Sequence, residues 1–234
     1  MAVGLGKMMN IELPVNFDSP YKALTITEFW NRWHKTLTRF FTKYVYIPLG
    51  GNRKGTLRTY INIMIVYLVS GLWHGANWTF IVWGILHGLF SVFTRYKKDY
   101  FEKLHPVCSW MILFLFLNLT WTIFRADTLR DVYLLMKQMC YLPFGQAAPE
   151  ILSVFGSDTV VTLLKIPNYY AEFSMMVLLM VYMAALFVVL GTPNAYERMQ
   201  KMKFGVLQAL ITSVLLIVSI FSLSGVSTFL YFNF

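Results

Sequence analysis

A long run without charge is the feature that most constrains this chain. From Ile61 to Phe93 the sequence contains no Asp, Glu, Lys or Arg, and apart from its histidines it is apolar, aromatic or small. His74 lies in this run, within the segment SGLWHGANW. An ionisable side chain surrounded by lipid or dry protein is costly, so it is by default a candidate for function. The ordinary pKa of histidine lies close to neutral pH, which suits this side chain to accepting and returning a proton.

The composition indicates a membrane protein. Of the 234 residues, 13% are charged and 57% are hydrophobic, whereas soluble domains carry about 25% charged residues. The net charge of +9 comes from basic residues that flank apolar segments, which favours topology signals and lipid headgroup contacts over nucleic-acid binding. The two cysteines are too few and too far apart for a disulfide framework or a zinc site. We therefore predict an all-α, polytopic protein with the bilayer as a partner, no nucleic acid, no metal and no tightly bound cofactor.

Helical spacing of apolar residues places the elements. Residues 26–43, with a start at Thr27, are predicted to form an amphipathic helix in the membrane interface, because aromatic residues recur along one side and basic residues along the other. Residues 59–94 are apolar but interrupted around His74, and each half is near the length of one span. They form either a tight hairpin or two short, broken helices that meet inside the membrane. The further segments predicted to be transmembrane helices are 106–124, 174–190 and 205–224.

The residues themselves leave several roles open. His74 can act as a general base that takes a proton from an alcohol during acyl transfer, as a packed histidine bonded to a carbonyl at a bend, or as part of a proton conduit. Asn77 can orient the imidazole or donate to a developing oxyanion, or it can satisfy backbone groups at the turn. By composition alone, His34 is a solvated or headgroup-facing histidine on the basic helix. His87 is predicted to be a structural, hydrogen-bonding histidine.

Three runs, in order, resemble one family. They are ITEFWNRWHKTLTRFFTKYVYIPLGGNRKG (Ile26 to Gly55), RTYINIMIVYLVSGLWHGANWTFIVWGILHG (Arg58 to Gly88) and the YFNF ending. Together they resemble the membrane-bound O-acyltransferases, specifically the bacterial branch of alginate O-acetylation and teichoic-acid D-alanylation proteins. The resemblance implies a helical bundle around a funnel or tunnel. Members of that family are about twice as long, so residues 1–234 are expected to form a single membrane domain, the C-terminal half of a longer protein.

The resemblance also implies a reaction. An acyl group, with acetyl favoured, would pass from a cytoplasmic thioester donor (acetyl-CoA or an acyl carrier protein) to a hydroxyl of an envelope or extracellular polysaccharide. The family's histidines fall on His74, as general base, and on His34, in a supporting role. Trp73, Asn77 and Trp78 are expected to line the tunnel or orient the substrate.

The resemblance places the chain in the bacterial cytoplasmic membrane, with accessory envelope acyltransferase proteins as candidate partners. Two alternatives to the enzyme stay open. The first is a non-catalytic membrane conduit or transporter, in which His74 and Asn77 line a path for protons or a small solute. The second is an inactive, truncated remnant that binds a partner or lipid.

Overall fold

The computed structural model describes residues 2–141, 170–201 and 205–222. The chain divides into two compact units, Met1–Tyr141 and Leu142–Phe234. Within the described residues the regular structure is helical and contains no strand, in agreement with the predicted all-α class.

The helices follow one another with short connections. In the first unit they are α1 (Ala2–Met8), α2 (Ile26–Arg32), α3 (Lys35–Phe41), α4 (Thr56–His74), α5 (Trp78–Tyr96), α6 (Lys98–Lys103), α7 (Pro106–Arg125) and α8 (Leu129–Tyr141). A short 3-10 turn at Pro20–Lys22 precedes α2, and a π-helical turn at Thr42–Tyr46 follows α3. In the second unit they are α9 (Tyr170–Gly191), α10 (Ala195–Lys201) and α11 (Val206–Ser222).

The segment predicted as one helix over 26–43 is two short helices, so that prediction was wrong in its continuity. The chain is extended at Trp33 and left-handed at His34, which has φ 44° and ψ 56°. Asn16 stabilises the break, because its carbonyl oxygen accepts a hydrogen bond of 3.0 Å from the Lys35 amide. An upstream segment thus takes over a bond that a continuous helix would make for itself, which apolar spacing does not report. The interfacial position of these helices stays a prediction.

The start of α2 also differs from the prediction. The hydroxyl of Thr25, and not that of Thr27, accepts a hydrogen bond of 3.1 Å from the Glu28 amide. The Glu28 carboxylate accepts one of 2.9 Å from the Leu24 amide. This reciprocal pair resembles a capping box and satisfies amides that the first turn leaves open.

The run over 59–94 is a tight antiparallel hairpin, the first of the two alternatives. Helices α4 and α5 have 19 residues each, and only residues 75–77 separate them. The helices touch at two glycines: a Cβ added to Gly71 would lie 2.5 Å from the carbonyl oxygen of Phe80, and one added to Gly84 would lie 2.5 Å from that of Tyr67. Small residues at such a crossing let two helical backbones approach closely.

Helix α7 completes the packed part of the first unit. It begins at Pro106 after His105, whose Nδ1 accepts a hydrogen bond of 3.3 Å from the Val107 amide. Its residues Leu113 and Leu117 join the buried cluster of residues before and within α2, which consists of Ala23, Ile26 and Phe29. This cluster fixes α2 against α7 and so positions the residues that follow α2.

The described helices differ in whether their length and composition suit them to cross a membrane. Helix α7 is the one described helix that passes as a span by itself, and Leu178–Gly191 with Ala195–Lys201 passes as a pair bent by 57°. The apolar helix Val206–Ile217 is shorter. The segment 106–124 therefore lies within a helix that is apolar and long enough to cross, while membrane crossing by the other predicted segments stays a prediction. The YFNF ending lies outside the described residues.

Candidate active site

His74 is the last residue of α4 and lies at the closed end of the hairpin. Its half-buried ring sits among aromatic rings. The ring centroids lie 4.9 Å from Trp73, 5.5 Å from Trp83 and 4.9 Å from Phe124, each in an edge-to-face arrangement. Aromatic pairs at these separations fix each other's orientation, so the imidazole is held in place by packing.

The chain turns directly after His74 because of Gly75. This glycine has φ 152°, and a Cβ on it would lie 2.8 Å from the ring of Phe80. A residue with a side chain would be strained there in both respects. Within the described part of the chain, no hydrogen bond involves the ring nitrogens of His74. Both nitrogens are therefore available to a substrate.

Asn77 is used by the backbone around it. Its side-chain oxygen accepts a hydrogen bond of 3.3 Å from the Thr79 amide, which caps α5, and its side-chain nitrogen donates one of 2.6 Å to the carbonyl of Asp127. These are the contacts expected of the structural alternative. The neighbouring tryptophans are largely exposed, Trp73 at 56% and Trp78 at 68%. A substrate-orienting role for the three residues stays a prediction.

His34 lies at the break between α2 and α3. Its left-handed backbone costs a residue with a side chain about 1–2 kcal/mol, and such strained positions are concentrated at functional sites. Its Nδ1 is buried and has no hydrogen-bond partner among the described residues. The ring packs at 6.0 Å against Phe17. The adjacent Trp33 contacts Trp121, which contacts Phe124, and the Phe124 ring contacts that of His74. The fold thus brings the two predicted site histidines into one neighbourhood.

A cavity of about 1010 Å³ lies beside these residues. His34 is in its wall and His74 is not, but Ser70, one helical turn earlier on α4, is. Lining residues follow α4 from Thr56 to Ser70, so the cavity runs along the hairpin toward its closed end. At the opposite end the wall includes Arg95, Lys98 and Glu102, and Lys98 pairs with the Glu102 carboxylate at 3.5 Å.

The polar wall of this cavity was not anticipated from the sequence. Tyr67 and Ser91 both line it, and the Ser91 hydroxyl donates a hydrogen bond of 3.0 Å to the Tyr67 oxygen. A signal was available, since Tyr60, Ile63, Tyr67 and Ser70 recur at helical spacing and share one side of α4. The left-handed turn at His34 had no such signal.

His87 has the structural setting that the sequence predicted for it. It is 0% exposed, and its Nε2 lies 3.0 Å from the hydroxyl oxygen of Thr120 on α7. The Trp83 ring contacts both His87 and His74 and so lies between the two imidazoles.

Comparison with known proteins gives one family. The model of the membrane-bound O-acyltransferase family matches residues 1–127, which include both site histidines. A peptidoglycan O-acetyltransferase of Helicobacter pylori is 38% identical over 246 aligned positions, which cover 100% of this chain and 45% of that protein. A probable alginate O-acetylase of Azotobacter vinelandii is 45% identical over 130 residues, 55% of this chain and 26% of that protein.

A more distant similarity extends to another named activity. A teichoic acid D-alanyltransferase of Streptococcus thermophilus is 33% identical over 99 residues, 38% of this chain and 23% of that protein. The chain thus spans less than half the length of these curated relatives.

Proposed function

Because the chain belongs to the membrane-bound O-acyltransferase family, we propose that it serves acyl transfer from a thioester donor to a hydroxyl of a bacterial envelope polysaccharide, with His74 as general base. The similarity to proteins named for O-acetylation of peptidoglycan and alginate supports acetyl as the acyl group. The proposal concerns the protein as it works in the cytoplasmic membrane, with accessory envelope acyltransferase proteins as candidate partners.

The observation that carries the proposal is the state of the His74 ring. It is held by aromatic packing, is half-buried, and makes no hydrogen bond to the described residues. A structural histidine in the same hairpin, His87, is instead bonded to a neighbouring helix. An imidazole that is fixed in place with free nitrogens is suited to proton transfer.

The chemistry needs one proton acceptor. The acceptor hydroxyl gives its proton to His74 as its oxygen attacks the acyl carbon of the thioester. The carbon–sulfur bond then breaks, and the leaving thiolate takes the proton back from the imidazolium. The products are the oxygen ester and the free thiol. His34, whose Nδ1 has no partner among the described residues, supports this step by orienting a substrate beside the cavity.

The cavity supports a path for the donor. At one end the wall carries Arg95 beside the ion pair of Lys98 and Glu102. The Arg95 guanidinium suits the anionic groups of coenzyme A or a carrier protein, and the basic residues of this end suit the cytoplasmic side by the positive-inside rule. From there the lining residues lead along α4 to Ser70, one turn from His74. We propose that the thioester arm lies along this wall.

A conduit is the second candidate, and one observation favours it. The cavity wall contains His34 but not His74. A solute or proton that moves through the cavity would therefore meet His34 and not the proposed base. In a conduit His34 would carry the function, and His74 would be a packing residue. The two candidates therefore make opposite assignments for the two histidines.

The experiment compares His74→Gln with His34→Gln and with His105→Asn. His105 is an exposed helix cap, and asparagine retains a capping side chain, so this variant is the matched control. Membranes that carry equal amounts of each protein receive radiolabelled acetyl-CoA, and label on the envelope polysaccharide is measured. We expect His74→Gln to lower transfer about 10²–10⁴-fold, the usual contribution of a general base. His34→Gln should lower it less, and His105→Asn should match the unmodified chain.

Unchanged transfer in His74→Gln would rule out the assignment of the base. Proton or solute flux in proteoliposomes that is lost with His34→Gln but kept with His74→Gln would establish the conduit instead. No transfer by the unmodified chain in cells that contain its partners would favour the inactive remnant.

A further inference from the structure

Three buried nitrogens without partners lie where α2, α5 and α7 meet. They are Nδ1 of His87 and Nε1 of Trp30 and Trp83, and none has a hydrogen-bond partner among the described residues. His87 is 0% exposed and Trp83 is 1% exposed. The ring centroids are 4.6 Å apart for Trp83 and His87, 5.3 Å for Trp30 and His87, and 5.8 Å for Trp30 and Trp83. One cluster therefore contains these three groups. A fourth buried nitrogen without a hydrogen bond to the described residues, Nε1 of Trp121, lies beside it, in a ring 6.5 Å from that of Trp83.

The hydrogen bond to Thr120 determines which of these groups are donors. The Thr120 hydroxyl oxygen lies 3.0 Å from the carbonyl oxygen of Phe116 and 3.1 Å from that of Leu117, so we assign its hydrogen to one of these two carbonyls. Its oxygen then accepts from Nε2–H of His87. That tautomer leaves Nδ1 of His87 as an acceptor, whereas both indole nitrogens are donors only.

Two donors and one acceptor are the complement of one water molecule. Water accepts two hydrogen bonds and can donate a third, and buried waters in proteins usually make about three such bonds to otherwise unsatisfied groups. The other faces of the imidazole are covered by the rings of Tyr67, at 6.0 Å, and Phe116, at 4.9 Å. The three nitrogens therefore lie in a cluster surrounded by aromatic rings, without other polar partners among the described residues.

We propose that one structural water is bound at this junction, accepting from the indole N–H groups of Trp30 and Trp83 and donating to Nδ1 of His87. This water fixes the Trp83 indole, whose ring stands edge-on to His74 at a centroid distance of 5.5 Å and an interplanar angle of 85°. His87 and Thr120 are therefore positioning residues that act on His74 through Trp83. This second part rests on the proposed function, whereas the water site does not.

The first test detects the water directly. The full chain is labelled with nitrogen-15 in histidine and tryptophan and studied by NMR in lipid nanodiscs, with Trp30→Phe and Trp83→Phe for assignment. We expect His87 to be protonated at Nε2 only, and both indole protons to show transfer from bound water. Each phenylalanine variant removes one N–H and should weaken the water signal of the other indole.

The competing account is that each indole N–H points at the face of a neighbouring ring, a weak but recognised contact. It predicts indole protons shifted upfield, with no transfer from water. That result, or protonation of His87 at Nδ1, would overturn the water site.

The second test measures positioning. In the acetyl-transfer assay, Thr120→Val removes the hydroxyl that orients His87, and Thr120→Ser restores it. We expect Thr120→Val to lower kcat about tenfold with KM within about twofold, since small misplacements of a catalytic group cost this much or more. Thr120→Ser should recover most of the loss. Equal kcat in all three proteins, at equal folded amounts, would reduce His87 to a packing role.

The two proposals fail separately. If His74→Gln leaves transfer intact, the general base is refuted, while the NMR measurement still decides the water site. If the water is absent but His74→Gln abolishes transfer, His74 remains the general base and the proposed water site is refuted.

Discussion

The histidine in the body of the hairpin and the histidine at its closed end have different contacts. In its body, α4 and α5 touch at Gly71 and Gly84, and His87 is bonded to Thr120 of α7. At its closed end, His74 is half-buried and has no hydrogen bond to the described residues, although aromatic rings hold it on several sides. Both histidines come from the same charge-free run, but only His87 is hydrogen-bonded to another described helix.

The difference shows how a hydroxyl on another helix decides the role of a buried histidine. His87 uses its Nε2 on Thr120 and thereby ties α5 to α7. His74 finds no such group, and its nitrogens stay free for a ligand. Removing a helix–helix contact or a helix cap should therefore cost mainly stability, whereas removing the His74 ring should cost mainly function. Three substitutions test this contrast.

The largest stability effect is expected in the body. Gly84→Ala places a methyl group 2.5 Å from the carbonyl oxygen of Tyr67, and overpacking of this kind costs about 1–3 kcal/mol. Gly4→Ala is the matched control, because a Cβ there meets nothing within 4 Å, and alanine in a helix is neutral or stabilising. The free energy of unfolding in mixed micelles should fall for Gly84→Ala and not for Gly4→Ala. Equal values would mean that the helices do not meet at this glycine.

A smaller effect is expected at the turn. Asn77→Ala removes the cap of α5 and the bond to the Asp127 carbonyl, and losing a capping side chain costs about 0.5–2 kcal/mol. Asn77→Asp keeps an oxygen for the cap and loses only the donor. We expect the unfolding free energy to decrease in the order unmodified, Asn77→Asp, Asn77→Ala. If Asn77→Ala kept full stability but lost acetyl transfer, the side chain would act on substrate and the structural assignment would fail.

The smallest effect isolates the backbone of His34. Its φ of 44° suits glycine and strains other residues by about 1–2 kcal/mol. His34→Gly should therefore unfold with a free energy higher than that of His34→Ala by about 1 kcal/mol, as measured by thermal unfolding, even though both variants lose the ring. A lower stability for His34→Gly would indicate that the left-handed turn is absent. Reduced acetyl transfer in both variants would show that transfer needs the His34 ring, because His34→Gly keeps the left-handed turn.

The sequence predicts the parts of this fold that depend on nearby residues. Apolar periodicity and the interruption around His74 predicted two helices over 59–94, joined as a hairpin or broken inside the membrane. The structure has the hairpin, and its helices extend three residues before and two residues beyond that range. The same pattern predicts the helix over 106–124, which ends at Arg125. The structural character of His87 also followed from its position on an apolar helix.

Contacts between distant segments could not be predicted from the sequence. The break before α3 depends on Asn16, far upstream, and the turn after α4 depends on the carbonyl of Asp127, far downstream. Periodicity describes one helix at a time, so it cannot report which other segment competes for its hydrogen bonds. For the same reason it could not show that Ser70, and not His74, lies in the cavity wall.

The reciprocal contact of Gly71 and Gly84 has an evolutionary consequence. Each glycine faces a carbonyl oxygen of the opposite helix, and a carbonyl belongs to the main chain whatever residue occupies that position. A larger residue at one glycine therefore cannot be accommodated by a smaller one across the interface, as happens when two side chains collide. Descendants of this sequence can vary around the crossing, but a change of either glycine costs stability that a smaller residue on the opposite helix does not restore.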